Sequence, residues 1–296
     1  GNSWKRLAVT GASGLGCFGL VLLSIGGWEY GKRKISVPHE IEELTGVRYL
    51  GGFPAPPLVK ARRSKQSEPS IEFQRRLAHW SDLLRAGLVQ LMMVNGAQLV
   101  LICSARRGEG STTVALQVAS SLARDGRRTL LVDANLANPQ LHDHFQQALS
   151  PGLADILEGE LGVLEGIRPT NRPDLWLMPA GRGGPDTISN TGHRCLDQAL
   201  GDLRARFELI IVDSPPLLGS PESCLLAPHS DGVILSMLCE ISRVPDIQVA
   251  CERIGRVGSR TLGAILLGVP EPLLFQTTSA PRSMPGHSLE YDEGSS

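Results

Sequence analysis

Six apolar runs of strand length recur between residues 98 and 269: QLVLICS (98–104), RTLLVDAN (128–135), DLWLMPAG (174–181), FELIIVDSPP (207–216), DGVILSMLCE (231–240) and RTLGAILLGV (260–269). Segments with helical spacing lie between them. In 112–126, Val114, Val118 and Leu122 share one stripe and Gly126 supplies a stop. Further helices are predicted over Ile71 to about Met93, Cys195–Arg206 and Val244–Arg256. Continuous apolar strands separated by helices predict an α/β fold, a mostly parallel sheet with helices on both faces. Ligands of such sheets bind at the carboxyl ends of the strands.

The N-terminal pattern is different. Leu7–Trp28 carries no charge, and its 22 residues at ~1.5 Å each reach about 33 Å, enough to cross a bilayer. Trp4 and Trp28 flank the span as interfacial anchors do, Lys5 and Arg6 precede it, and Lys32, Arg33 and Lys34 come after it. It is longer than a signal-peptide h-region and has no convincing cleavage site. A buried helix of a soluble core is the alternative. Ala12 and Gly16, four apart, permit close helix packing. A chain that opens on Gly1 beside a membrane span is expected to be the C-terminal piece of a longer protein.

Residues 29–57 read as a juxtamembrane segment, with HEIEELTGVRYLGGFP as a short helix and turn. GGFPAPPLVKARRSKQSEPS is then a basic linker, and its Lys60, Arg62, Arg63 and Lys65 suit either anionic lipid or plain solvation. The last twenty or so residues lack periodicity and are expected to be disordered. The predicted organisation is therefore a membrane helix with flanks (1–30), a juxtamembrane segment and linker (31–70), an α/β domain (71–275) and a tail (276–296).

Composition narrows the function classes. Gly and Pro together make about 18% of 296 residues, below the roughly 25–30% of disordered chains. Lys and Arg number 29 against 30 Asp and Glu, so no overall field points to nucleic acid. Aromatics are 4%, too few for a base-stacking platform. The six cysteines, Cys17, Cys103, Cys195, Cys224, Cys239 and Cys251, form no CxxC pair. That excludes a zinc site of known spacing and a disulfide framework, and suits a reducing cytosol.

Three strand ends carry candidate chemistry. Ala105-Arg106-Arg107-Gly108-Glu109-Gly110-Ser111-Thr112 comes after a strand and opens a helix, the setting of the phosphate loop G-x-x-x-x-G-K-[ST]. Glycines let backbone N–H groups approach a phosphate, the helix N-terminus favours an anion, and the hydroxyl serves magnesium. Gly110 and Thr112 are in place, but Ser111 stands where the lysine would be. Alone, the segment reads equally as a Gly-rich turn before a helix. LLVDANLANPQLH sets Asp133 and Asn135 at a second strand end, and LIIVDSPP sets Asp213 at a third, where a magnesium-facing Walker B acid lies. A strand-end Asp can instead cap a following helix.

SARRGEGSTTVALQVASSLARDGRRTLLVDANLANPQLHDHF resembles the nucleotide-binding region of bacterial tyrosine kinases of the exopolysaccharide co-polymerase, chain-length-determinant family. FELIIVDSPPLLGSPES, DGVILSMLCEISRVPDIQVACERI and DLWLMPAG continue the likeness, and EYGKRKISVPHEIEELTGVRYLGGFP is similar to the segment before that family's kinase domain. The resemblance covers roughly residues 1–270. It implies a P-loop fold with Walker A, A′ and B elements, using ATP and magnesium. Arg106, Gly108, Gly110, Ser111, Thr112 and Thr113 would then face the nucleotide, Thr112, Asp133 and Asp213 the metal, and Asp133 and Asp213 would be the catalytic acids. The implied setting is the bacterial inner membrane, with residues after about Trp28 in the cytosol. The implied partners are further copies of the cytosolic domain, the polysaccharide polymerase and export machinery, and membrane lipid, but no nucleic acid.

Departures from the family pattern are as informative. Arg107 replaces the loop proline and Ser111 the lysine, while Asn135 and Ala137 replace the A′ acid and arginine. Of the family's E-x-x-R-x-x-R contact helix, Glu72 and Arg75 match and Ala78 does not. The tail has Tyr291 alone instead of a tyrosine cluster. Arg106 reads either as a partial substitute cation, at the position where related ATPases with a deviant loop carry an extra lysine, or as a solvated surface arginine. A cation ~4 Å from a phosphate charge is worth about 4 kcal/mol at an effective dielectric near 20. Two functions are open: a catalytically degenerate regulatory subunit, or a weakened ATP-dependent tyrosine autokinase. The membrane span disfavours a DNA-partition ATPase of similar fold.

Overall fold

A computed structural model describes residues 33–54, 71–159, 161–184, 186–191 and 193–276. The expected membrane span Leu7–Trp28, the linker after residue 54 and the tail after residue 276 lie outside the described residues. None of the described helices is long and apolar enough to cross a membrane.

The apolar runs become strands of one eight-stranded sheet in the order β1-β8-β7-β2-β6-β3-β5-β4. The strands are β1 (Tyr49–Pro54), β2 (Leu99–Ser104), β3 (Thr129–Asp133), β4 (Arg168–Pro169), β5 (Leu175–Met178), β6 (Leu209–Asp213), β7 (Gly232–Leu238) and β8 (Thr261–Val269). Every neighbouring pair is parallel except β4–β5 at one edge. Every residue of β2, β3 and β6 is buried, which explains their unbroken apolar character: both faces are covered. The helices are α1 (Pro38–Thr45), α2 (Ile71–Asn95), α3 (Ser111–Arg124), α4 (Leu141–His144), α5 (Leu153–Leu157), α6 (Asp186–Asn190), α7 (His193–Arg204), α8 (Glu222–Leu226), α9 (Val244–Arg256) and α10 (Glu271–Gln276). Short 3-10 turns occupy Val163–Gly166 and Ala227–His229.

Helix α3 lies over β2, β3 and β6 and buries the expected stripe of Val114, Val118 and Leu122. Helix α2 packs against α3 and β1. Ser121 donates to the Ser81 carbonyl at 2.9 Å, and Arg124 meets Asp82 at 2.8 Å.

One expectation is corrected. YLGGFP is a strand rather than a turn, and the domain begins well before residue 71. Gly51, Gly52 and Phe53 register with Ile265, Leu266 and Leu267 of β8. The glycines make this edge possible: a Cβ on Gly51 would stand 2.9 Å from Leu84 Cγ, and one on Gly52 2.8 Å from the Leu266 carbonyl oxygen. Side-chain periodicity cannot announce a strand whose centre has no side chains. Further upstream, Ile35 N–H donates to the Ser242 carbonyl at 2.9 Å, and Lys34 bridges Arg243. The stretch expected to be only juxtamembrane thus contains a structural part of the domain.

Candidate nucleotide site

The loop from Ala105 to Gly110 joins β2 to α3 at the carboxyl edge of the sheet. Gly108 and Gly110 adopt φ of 88° and 82°, the left-handed region open to glycine. A Cβ at Gly110 would also fall 2.1 Å from Leu267 Cδ1, so the tip of that β8 side chain would have to turn away. Val114 N–H closes the first turn of α3 on the Gly110 carbonyl at 3.0 Å. The first helical residues are Ser111, Thr112 and Thr113, with Thr113 exposed.

Glu109 is the loop's internal tether. Only 3% exposed, it accepts the Arg106 N–H at 2.8 Å on Oε2 and the Ser242 hydroxyl at 2.7 Å on Oε1. Its own carbonyl accepts the Ser236 hydroxyl at 2.7 Å. Burial pushes its carboxyl pKa up, against these hydrogen bonds. The loop is thereby pinned to the end of β7 and to the turn before α9. Nothing in the sequence pattern singled Glu109 out. Its partners Ser236 and Ser242 lie more than a hundred residues away.

The two aspartates meet as expected. Asp133 and Asp213 are register partners on neighbouring parallel strands, and Asp213 also registers with Ile102 of β2. Their surroundings diverge. Asp133 accepts Asn135 N–H at 3.2 Å on Oδ1, and Gln140 N–H and Leu141 N–H, both at 3.1 Å, on Oδ2. It therefore organises the loop into α4, the capping alternative that the sequence left open. Burial raises its pKa, while those three N–H groups and nearby His142 act to lower it. Asp213 has a buried Oδ1 with no hydrogen-bond partner among the described residues. Burial, then the neighbouring Asp133 charge, push its pKa up to about 8, against side-chain hydrogen bonds from Thr112 and Ser111.

Ser111 is thus more than a missing cation, because it lies near enough to favour the ionised form of the Asp213 carboxyl. Arg106 is placed outside that cluster. Its guanidinium forks onto Asp246 in the first turn of α9, with Nε–Oδ2 at 2.6 Å and Nη2–Oδ1 at 2.9 Å. The Asp246 bond raises the guanidinium pKa further. Asn135 is half-buried beside Asp133, and Ala137 is exposed.

These groups fit a magnesium nucleotide in part. A left-handed glycine loop opens a helix N-terminus, a hydroxyl at 112 stands beside a buried carboxylate, and that carboxylate keeps one oxygen unpartnered. The position that opens α3 carries Ser111 and no lysine.

Residues 97–262 match the AAA domain family. EpsB of Ralstonia nicotianae is 25% identical over 278 residues, covering 88% of this chain and 36% of EpsB. The tyrosine-protein kinase CpsD of Streptococcus agalactiae is 30% identical over 175 residues, 59% of this chain and 75% of CpsD. The chain belongs to the bacterial tyrosine-kinase P-loop family. The kinase domain of the Escherichia coli tyrosine kinase ETK shares this fold, with a TM-score of 0.71 at 20% identity, over 86% of this chain and all of that domain. A MinD protein of Pyrococcus horikoshii complexed with Mg-ADP shares it less fully, with a TM-score of 0.52 at 22% identity over 62% of this chain and 78% of that one. The chain spans little more than a third of the length of EpsB.

Proposed function

We propose that this chain is the cytosolic P-loop domain of an inner-membrane protein of exopolysaccharide or capsule assembly, acting as a regulatory subunit that binds nucleotide but is catalytically degenerate. The observation that carries this reading is the Ser111–Thr112–Asp213 cluster. Its hydroxyls and its unpartnered carboxylate oxygen retain the means to hold a hydrated magnesium ion. Its lysine position carries a neutral hydroxyl, Ser111, in place of a cation. Such a site favours binding over phosphoryl transfer, where charge on the transferring group must be met by fixed cations.

In this reading the N–H groups at the start of α3 receive the phosphates, and Thr112 and Asp213 hold the metal and its waters. Asp133 braces the A′ loop. Bound magnesium would supply positive charge that offsets the charge of the phosphates. Gly108 and Gly110 keep the loop open to close approach, and Glu109 holds it against β7.

The uncharged span Leu7–Trp28 and the basic residues after it support membrane attachment with the domain in the cytosol. A C-terminal reporter should be active in the cytosol, and activity only in the periplasm would reject that arrangement. Self-association of the domain, and contact with the polymerase and export machinery, rest on the family likeness. The isolated tail tyrosine, Tyr291, supports at most minor autophosphorylation.

A weakened autokinase is the second reading, favoured by the intact pairing of Thr112 with Asp213. Nucleotide titration with and without magnesium, beside a phosphotyrosine assay, separates the two. Magnesium-dependent binding without turnover supports the regulatory subunit. Stoichiometric phosphate on Tyr291 supports the autokinase.

A further inference from the structure

Two hydrogen bonds fix the backbone of Arg106. Its N–H donates to Glu109 at 2.8 Å, and its carbonyl accepts the Ser104 hydroxyl at 2.8 Å. Both partners are buried, at 3% and 2% exposure. From this rigid base the arginine side chain projects into solvent, 61% exposed, and reaches Asp246. The contact is a two-pronged fork, the geometry that a guanidinium offers equally to a carboxylate and to a phosphate.

Asp246 has a second source of stabilisation besides that partner. It lies in the first turn of α9, whose N-cap is Arg243, where the helix macrodipole favours a negative charge. Opening the pair returns the arginine to the water that already surrounds most of it, and leaves the Asp246 carboxylate, 14% exposed, to the N-terminal dipole of α9. Arg106 is therefore a cation on a fixed mount with a replaceable partner, within the very loop that lacks its lysine.

We propose that Arg106 is the loop's phosphate-binding cation, that Asp246 is its resting partner, and that the polyphosphate of a nucleoside di- or triphosphate displaces Asp246 from it. The inference rests on the nucleotide-binding reading above. It adds a competitor built into the fold: Asp246 weakens binding of any ligand that must take Arg106 from it. A monophosphate engages the loop without the outer phosphates, so the exchange discriminates by phosphate number.

Calorimetric titration of Mg-ADP and of AMP into the full chain tests this. Arg106→Ala should weaken Mg-ADP at least tenfold and leave AMP unchanged. Asp246→Asn should tighten Mg-ADP severalfold, and Asp246→Ser, a smaller neutral polar residue, should do the same if the asparagine variant folds poorly. The double variant Arg106→Ala/Asp246→Asn should match Arg106→Ala alone, since Asp246 acts only through Arg106. Arg107→Ala is the control and should bind as wild type does. Independently of affinity, the Arg106 Nε–H resonance should shift on adding Mg-ADP to the wild-type chain. Unchanged Mg-ADP affinity in Arg106→Ala overturns the inference and leaves the nucleotide reading intact. Tighter binding by Asp246→Asn that persists without Arg106 overturns it as well, since Asp246 would then act as a bare repelling charge. Binding seen only in Ser111→Lys also overturns it. No binding by wild type, Asp246→Asn or Ser111→Lys sinks the nucleotide reading and the inference together.

Discussion

Asp133 and Asp213 end adjacent parallel strands in direct register, yet the fold uses them in opposite ways. Both oxygens of Asp133 are taken by main-chain N–H groups of its own loop. Asp213 is as deeply buried but keeps Oδ1 unpartnered, beside the hydroxyls that open α3. The difference comes from the path the chain takes on leaving each strand. After Asp133 the chain turns back through residues 134–141 and brings three N–H groups to the carboxylate. After Asp213 it leaves towards β2, with Ser214 N–H donating to the Ile102 carbonyl at 3.0 Å and Leu217 N–H to the Ser104 carbonyl at 2.9 Å. One aspartate is consumed by structure. The other keeps an unpartnered oxygen on a buried carboxyl, at a cost in stability.

Replacement of each aspartate should separate these roles. Asp133→Ala strands three N–H donors, one of them fully buried and two partly so, at ~1–3 kcal/mol each with the least exposed costing most, so a loss of about 4 kcal/mol is expected from urea unfolding. Asp133→Asn, which keeps one acceptor oxygen, should lose roughly half as much. A loss below about 1 kcal/mol for the alanine variant would contradict the bracing role.

Asp213→Asn should move stability the other way. The folded pKa of about 8 lies above the ordinary carboxyl value, so the native state retains a proton that the unfolded chain releases. That contribution is fully present below about pH 4 and is lost as pH rises towards 8. Asparagine removes the dependence, so the variant should gain on wild type across that window, by up to about 4 kcal/mol at pH 7. Parallel unfolding midpoints at pH 5 and pH 7 check the sign.

The same raised pKa predicts proton release when magnesium nucleotide binds, because the metal requires the ionised carboxylate. Affinity should tighten between pH 6.5 and pH 8 by up to about thirtyfold, at a limit of one decade per pH unit for one proton. Calorimetry in two buffers of different ionisation enthalpy counts the proton. Asp213→Asn should abolish the release, whereas variants at the fully hydrogen-bonded Asp133 should retain it where they fold.

The smallest effect expected is at position 111. Ser111→Lys introduces a cation beside Asp213 and should tighten Mg-ADP about tenfold, or 1.4 kcal/mol. It should also pull the Asp213 pKa down and flatten the pH dependence of binding. Turnover should recover less, because Asn135 still lacks a carboxylate, and Ser111→Lys with Asn135→Asp should exceed the single change in ATP hydrolysis. Wild-type hydrolysis already at the double variant's rate would refute the degenerate reading.

Much of the core was legible because burial on both faces leaves a plain mark. β2, β3 and β6 are apolar throughout, and α9 runs over Val244–Arg256 as its spacing predicts. β1 escaped because Gly51 and Gly52 carry no pattern. What demands glycine there is the closeness of α2 and β8, which no local window contains. The Glu109 tether escaped for a related reason. A glutamate in an exposed-looking Gly-rich turn reads as solvated until Ser236 and Ser242 arrive from other elements.

Local sequence was enough to establish the alternation of strands and helices, the glycine turn and the placing of Asp133 and Asp213 at strand ends. Each rests on chain-local physics: burial periodicity, backbone freedom and the position of a polar residue after an apolar run. Tertiary packing alone settled that Asp133 is saturated while Asp213 is not, that Glu109 is tied to Ser236 and Ser242, and that Arg106 rests on Asp246. Those outcomes depend on which donors and charges lie within ~3 Å, and at that range partners far apart in the chain decide what each side chain is free to do.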